Sequence, residues 1–151
     1  MKKFAKLFLV AGSLAIASAG AFAEGDVVKE RQGLMKTIGG SMGVTVKMIR
    51  GATPFDAAAA EEALKKMSEA AGKFPELFKE GTDMSKVPTS EASPKIWENM
   101  EDFKKKAEEL KVAALKGSEA AKGGLDSLKG SFKAIAATCS GCHQAYRVKK
   151  Q

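Results

Sequence analysis

Residues 125–146 read Leu-Asp-Ser-Leu-Lys-Gly-Ser-Phe-Lys-Ala-Ile-Ala-Ala-Thr-Cys-Ser-Gly-Cys-His-Gln-Ala-Tyr. Apolar or thiol side chains fall at Leu125, Leu128, Phe132, Ile135, Cys139, Cys142 and Tyr146, in steps that alternate between three and four positions. That spacing predicts one long helix with an unbroken inward seam. Within the seam, Cys139-Ser140-Gly141-Cys142-His143 is a Cys-x-x-Cys-His run, the attachment signature of a c-type haem. The spacing suits the chemistry. On a helix, Cys142 and His143 follow Cys139 at i+3 and i+4, so two thiols and an imidazole leave one face. The thiols add across vinyl groups of the macrocycle as thioethers, and the imidazole binds iron from one side. The chain has two cysteines and one histidine in all, and this run holds every one of them.

Other uses of the same residues fit less well. A redox-active Cys-x-x-Cys sits in a βαβ setting, and no strand pattern surrounds this one. A structural zinc ion asks for four ligands, which the sequence does not offer. A disulfide across two intervening residues would constrain almost none of the chain.

At the other end, Lys2, Lys3 and Lys6 form a basic start, Leu7 to Ala17 an apolar run, and Ala21-Phe22-Ala23 a small-residue cleavage site. Residues 1–23 therefore read as a secretory signal peptide cut after Ala23, leaving one domain over residues 24–151. The apolar run is too short and too rich in small residues to serve as a membrane anchor, so no stable membrane insertion is expected. Export agrees with the haem signature and places the protein in the periplasm. Without the leader's three lysines the net charge falls from +7 to +4. That excess is spread along the chain and ends in Arg147, Lys149 and Lys150. It forms no concentrated basic face with a reading motif, which excludes nucleic-acid binding. A mildly basic C-terminal tip is a solvated surface that also suits an acidic redox partner.

The upstream segments are helical too. Asp26 to Arg50 carries Met35, Ile38, Met42 and Ile49 on one stripe. Gly33, Gly39, Gly40 and Gly43 interrupt it, each costing about 0.8–1 kcal/mol relative to alanine. Close approach of a bulky planar group or of another helix backbone would account for them. Gly51 closes this helix, and Thr53-Pro54-Phe55-Asp56 opens the next, with Thr53 as the expected N-cap and Asp56 as the capping-box acid. The second helix carries Ala60, Leu64, Met67, Ala71, Phe74 and Phe78 inward to about Lys79, with a kink or early end expected at Pro75. Glu80 to Ser93 reads as a longer connection. Ser93-Pro94 opens a third helix with Ile96, Met100, Phe103, Ala107, Leu110 and Ala114 inward, ending between Gly117 and Gly123. No segment alternates as a strand would. The expected fold is an all-α, up-down-up-down four-helix bundle with a covalent haem near one end.

With His143 on one side of the iron, the other side decides the chemistry. No second histidine exists, so lysine, methionine or an open site remain. Methionine is the usual partner in electron-carrying c-type haems, because its soft thioether favours reduced iron. Met35, Met42, Met67 and Met100 all face inward, and methionines at such spacing also serve simply as core filler.

A C-terminal Cys-x-x-Cys-His on the last helix of a bundle, followed by Tyr146-Arg147 and lysines, resembles the class II c-type cytochromes. That group comprises the cytochromes c′ and the low-spin cytochromes c-556. The resemblance extends over the mature chain through Arg31-Gln32, Thr53-Pro54-Phe55-Asp56 and Ser93-Pro94-Lys95-Ile96-Trp97. It implies that the residue four after Arg31 points at the distal side of the haem. In cytochromes c′ that residue is apolar and the iron stays open to small gases, whereas in the c-556 branch it is a methionine in a Leu-Met-Lys run. Leu34-Met35-Lys36 matches the second pattern, so the resemblance implies Met35 as the second iron ligand beside His143, with Met42 as its rival. It further implies that Arg31, Gln32 and Glu91 lie at the haem edge near the propionates. Trp97 and Tyr146 then pack on the ring, with an ordinary core position equally open for Trp97, and a homodimer built on the first two helices becomes a candidate assembly. The expected function is one-electron transfer between redox proteins by a single covalent haem c, with no catalytic residues. The competing expectation is a five-coordinate, gas-binding protein taking up nitric oxide or carbon monoxide.

Overall fold

The protein structure is a computed structural model that describes residues 24–149. The expected signal peptide over residues 1–23 lies outside them. Four long helices and one short one follow each other: α1 (Glu24–Ile49), α2 (Ala57–Lys73), α3 (Lys95–Glu98), α4 (Met100–Lys122) and α5 (Leu125–Tyr146). They form the four-helix bundle expected. α2 packs closely on both α1 and α4, and α4 on α5, while α1 and α5 touch little. Among the described residues, no helix is long and apolar enough to cross a membrane.

Local chemistry sets the boundaries. Gly51 takes φ 71° and closes α1, with its N–H donating to the Met48 carbonyl at 3.1 Å. Asp56, not Thr53, is the N-cap of α2: its carboxylate accepts from the Ala59 N–H at 3.0 Å. Asp56 has the extended backbone of an N-cap (φ −128°, ψ 110°), so the helix starts one residue later, at Ala57. α2 stops at Lys73 and passes into a 3-10 turn, Phe74–Leu77, because Pro75 has no N–H to continue the ladder. The expected third helix is broken. Asn99 (φ −135°, ψ 44°) separates the single turn α3 from α4, and its side chain donates back to the Lys95 carbonyl at 3.2 Å. Gly123 and Gly124 (φ 98°) then reverse the chain into α5.

The core has two parts. Leu64, Met67, Ala114, Leu128 and Ile135 are fully buried in the larger one, which takes up most of the bundle. Phe78, Ile96, Phe103 and Tyr146 form the smaller, aromatic one at the α3 end, with Phe74 and Trp97 against it. The two thiols straddle the boundary: Cys139 packs on the first cluster and Cys142 on the second. Gly117 lies buried in α4 against α5 and α2, since a Cβ there would meet Ile135 Cδ1 at 2.9 Å and Leu64 Cδ1 at 3.3 Å. The glycines of α1 differ from that. No other protein atom lies within 4 Å of a Cβ built on Gly33, Gly39, Gly40 or Gly43, so crowding by a neighbouring helix does not explain them.

Candidate functional site

A cleft of about 520 Å³ opens beside the aromatic cluster. It lies within the range of cavities that hold small molecules and cofactors. From α1 it is lined by Arg31, Gln32, Met35, Lys36 and Gly39, and from α5 by Cys142, His143, Tyr146 and then Arg147. Phe74, Phe78, Ala92, Ile96 and Phe103 supply an apolar floor, and Glu91 joins at the rim. A more open groove of about 600 Å³ lies between α2 and α4. It is lined by Glu76, Glu101, Lys104, Lys105 and Glu108, and it has no thiol or imidazole to offer a cofactor.

The methionines separate here. Met35 lines the cleft. Met67 is fully buried in the large core, Met100 packs against the aromatic cluster, and Met42, which like Met35 packs against the large core, does not line the cleft. Gly39 also lines the cleft, one turn beyond Met35, and its missing side chain keeps that wall low.

Burial pushes both thiols up, Cys142 to about 11. His143 is held below its ordinary value, first by desolvation and then by the Arg147 charge, which keeps the imidazole neutral and able to ligate.

Arg31 is not an exposed helix arginine. It is 4% exposed, with its guanidinium 4.7 Å from the centre of the Phe78 ring. It donates to Thr82 Oγ1 at 2.9 Å and to the Thr82 carbonyl and Ser90 Oγ, both at 2.5 Å. All three partners are neutral oxygens. Burial lowers its pKa to about 10, against which the Asp83 charge works weakly, so it remains a cation at neutral pH. Gln32 donates to the Thr89 carbonyl at 2.8 Å. The Arg31-Gln32 pair thus ties α1 to the 82–90 connection while facing the cleft.

Glu91 sits at the rim and accepts from Arg147 Nε at 2.7 Å. The backbone reinforces this contact: Ser93 N–H donates to the Tyr146 carbonyl and Val148 N–H to the Glu91 carbonyl, both at 2.9 Å. This Ala92–Arg147 bridge was not foreseen, because a single antiparallel pair leaves no periodicity to read. The residues sequence reasoning missed as cleft lining are the rings of Phe74, Phe78 and Phe103, whose helical spacing marked them only as core. Trp97 takes the core position of its two readings: it packs against the aromatic cluster, its ring centre 6.1 Å from that of Phe78, and does not line the cleft.

These residues fit a covalent haem. The Cys142 thiol, the His143 imidazole and the Met35 thioether line one apolar cleft, with Cys139 one turn before Cys142 on α5 against the adjoining core. Beside them stands the buried Arg31 cation, whose hydrogen bonds among the described residues go to neutral oxygens, a charge matched to an anionic edge.

Comparison with known proteins agrees. The pattern of the cytochrome c′ family matches residues 26–147. Cytochrome c-556 of Agrobacterium fabrum is 40% identical over 135 residues, spanning 87% of this chain and 88% of the relative. A solved cytochrome c′ from Rhodobacter Spheriodes superposes with a TM-score of 0.79 at 26% identity, covering 85% of this chain and all of the other. The nitric oxide complex of a variant cytochrome c prime from Alcaligenes xylosoxidans gives 0.75 at 31% identity, covering 86% of this chain and all of the other. With its bundle, its cleft and these relatives, the chain belongs to the cytochrome c′ family of single-haem c-type cytochromes, and its cofactor is one covalent haem c.

Proposed function

We propose that this protein is an exported, periplasmic one-electron carrier whose haem is joined to Cys139 and Cys142 and whose iron is held by His143 and Met35. One observation carries the reading: of the four inward methionines, Met35 is the one that lines the cleft shared by Cys142 and His143. When bound, the haem supplies an iron couple that moves a single electron, and thioether ligation favours its reduced state. The chain's own residues do the rest. His143 is kept neutral for ligation, the aromatic floor excludes water, and Arg31 presents a fixed positive charge to the propionate edge. Gln32 and Glu91 border the same edge, and Glu91 holds Arg147 beside His143. The reading needs no catalytic residue. The partners are redox proteins, which the basic C-terminal tip suits where they are acidic, and a homodimer is the assembly to test by sedimentation.

A second reading, capture of nitric oxide or carbon monoxide at an open iron, is supported by the likeness to a solved nitric oxide complex. The visible spectrum separates the two. Sharp low-spin bands that ignore carbon monoxide support the carrier. A high-spin spectrum that shifts on adding the gas overturns the Met35 assignment and favours the gas binder.

A further inference from the structure

We propose that Tyr146 and Asp102 form a proton-coupled electron-donor site in the cleft wall, through which a strong one-electron oxidant is quenched by the phenol. Tyr146 is the only tyrosine in the chain. Its ring lines the cleft, is 7% exposed, and stands edge-on to Phe103 with centres 5.4 Å apart at 87°. Its hydroxyl donates to Asp102 Oδ2 at 2.6 Å. Asp102 in turn opens to water, with its side chain 51% exposed and Lys106 Nζ 3.8 Å away. One residue pair therefore joins the cofactor cleft to the solvent by a single short hydrogen bond.

Burial and the Asp102 charge push the phenol up to about 12, so it carries its proton under all ordinary conditions. It can lose that proton only together with an electron, because an oxidised phenol is a far stronger acid than a neutral one. Tyr146 gives one electron to a radical oxidant such as nitrogen dioxide, which becomes nitrite. The phenolic O–H bond breaks and the proton forms an O–H bond on Asp102, leaving a neutral phenoxyl radical beside a carboxylic acid. Under the carrier reading, a reduced haem held by Cys139, Cys142 and His143 would supply the one electron that restores Tyr146, which takes its proton back from Asp102.

Trp97, the only tryptophan, shows by contrast what such a site requires. It belongs to the same aromatic cluster, but its Nε1 is buried with no hydrogen-bond partner among the described residues. An oxidised indole there has nowhere to send its proton. The oxidising equivalent settles on Tyr146.

The restoring half rests on the carrier reading, whereas the radical itself is tested on the ferric holoprotein whichever ligands hold the iron. Photogenerated tris(bipyridine)ruthenium(III) is the oxidant, with freeze-quench electron paramagnetic resonance and transient absorption as readouts. The expected result is a phenoxyl signal in the native protein that is absent in Tyr146→Phe. Asp102→Asn keeps the shape but accepts no proton, and is expected to slow radical formation about a hundredfold, the lower end for a positioned base. An indolyl signal or no radical in the native protein overturns the proposal. So does an unchanged rate in Asp102→Asn, which would leave the hydrogen bond a purely structural tie; this comparison stands even if Tyr146→Phe fails to fold. Failure of the carrier reading shows separately, in the carbon monoxide spectrum.

Discussion

The guanidinium of Arg31 reaches Ser90, 59 positions further along the chain, with Nη2 2.5 Å from the serine Oγ. Together with its two bonds to Thr82, this contact holds the 82–90 connection against α1 and shapes the rim of the cleft.

Arg31→Lys keeps the charge but lacks the planar fork, so it leaves part of this oxygen cluster without donors. Unsatisfied buried acceptors cost about 1–3 kcal/mol. A urea melt of the holoprotein should show a loss of about 2 kcal/mol by the same accounting, and limited proteolysis should cut first within residues 82–90.

Met35→Leu should convert a low-spin iron to one that binds carbon monoxide, because leucine fills the same space without a lone pair to donate. Met42→Leu should leave the spectrum unchanged, since Met42 does not line the cleft. The reverse pattern in the visible spectra would transfer the ligand role to Met42.

Ile135 is fully buried between α4 and α5, so Ile135→Ala should cost about 2–5 kcal/mol through lost transfer energy and a cavity. Leu115 is 50% exposed, and Leu115→Ala should stay within about 0.5 kcal/mol. Paired denaturant midpoints measure the contrast. Equal losses would contradict this placement of α4 and α5.

Tyr146 is raised from 10.0 to about 12 on folding. Below pH 10 both folded and unfolded chains keep the phenolic proton, and the stabilisation is whole. As pH climbs toward 12 the unfolded chain gives up its proton first, so stability falls across that window. With a single tyrosine, the ultraviolet tyrosinate band reports it directly. Its midpoint should lie near 12 in the native holoprotein and move down in Asp102→Asn.

The legibility of these features follows from the range of the forces behind them. α5 was readable to its last residue because its boundaries are local: Gly124 at one end and an inward seam that stops at Tyr146 at the other. The haem run was readable because its three ligating groups sit within five positions. The Thr53 cap and the continuous third helix were misread where competing local effects had to be ranked, at Thr53 against Asp56 as capping side chains and at Asn99 within an otherwise helical pattern. Arg31 was beyond local reading altogether. Its burial depends on Thr82 and Ser90, more than fifty positions away, and a guanidinium on a helix carries no mark of which distant carbonyl it will meet. The choice of Met35 over Met42 came from resemblance to relatives, since both occupy the same stripe and differ only in whether they reach the cleft.

The pairing of residues 146–148 with residues 91–93 has a consequence for timing. The rim beside His143 closes only when Glu91 meets Arg147 and Val148, residues more than fifty positions apart. A contact of that sequence separation carries a large loop-closure cost and forms once the helices between have packed. The cleft therefore stays open on that side until late in folding, which leaves a way in for a large planar group.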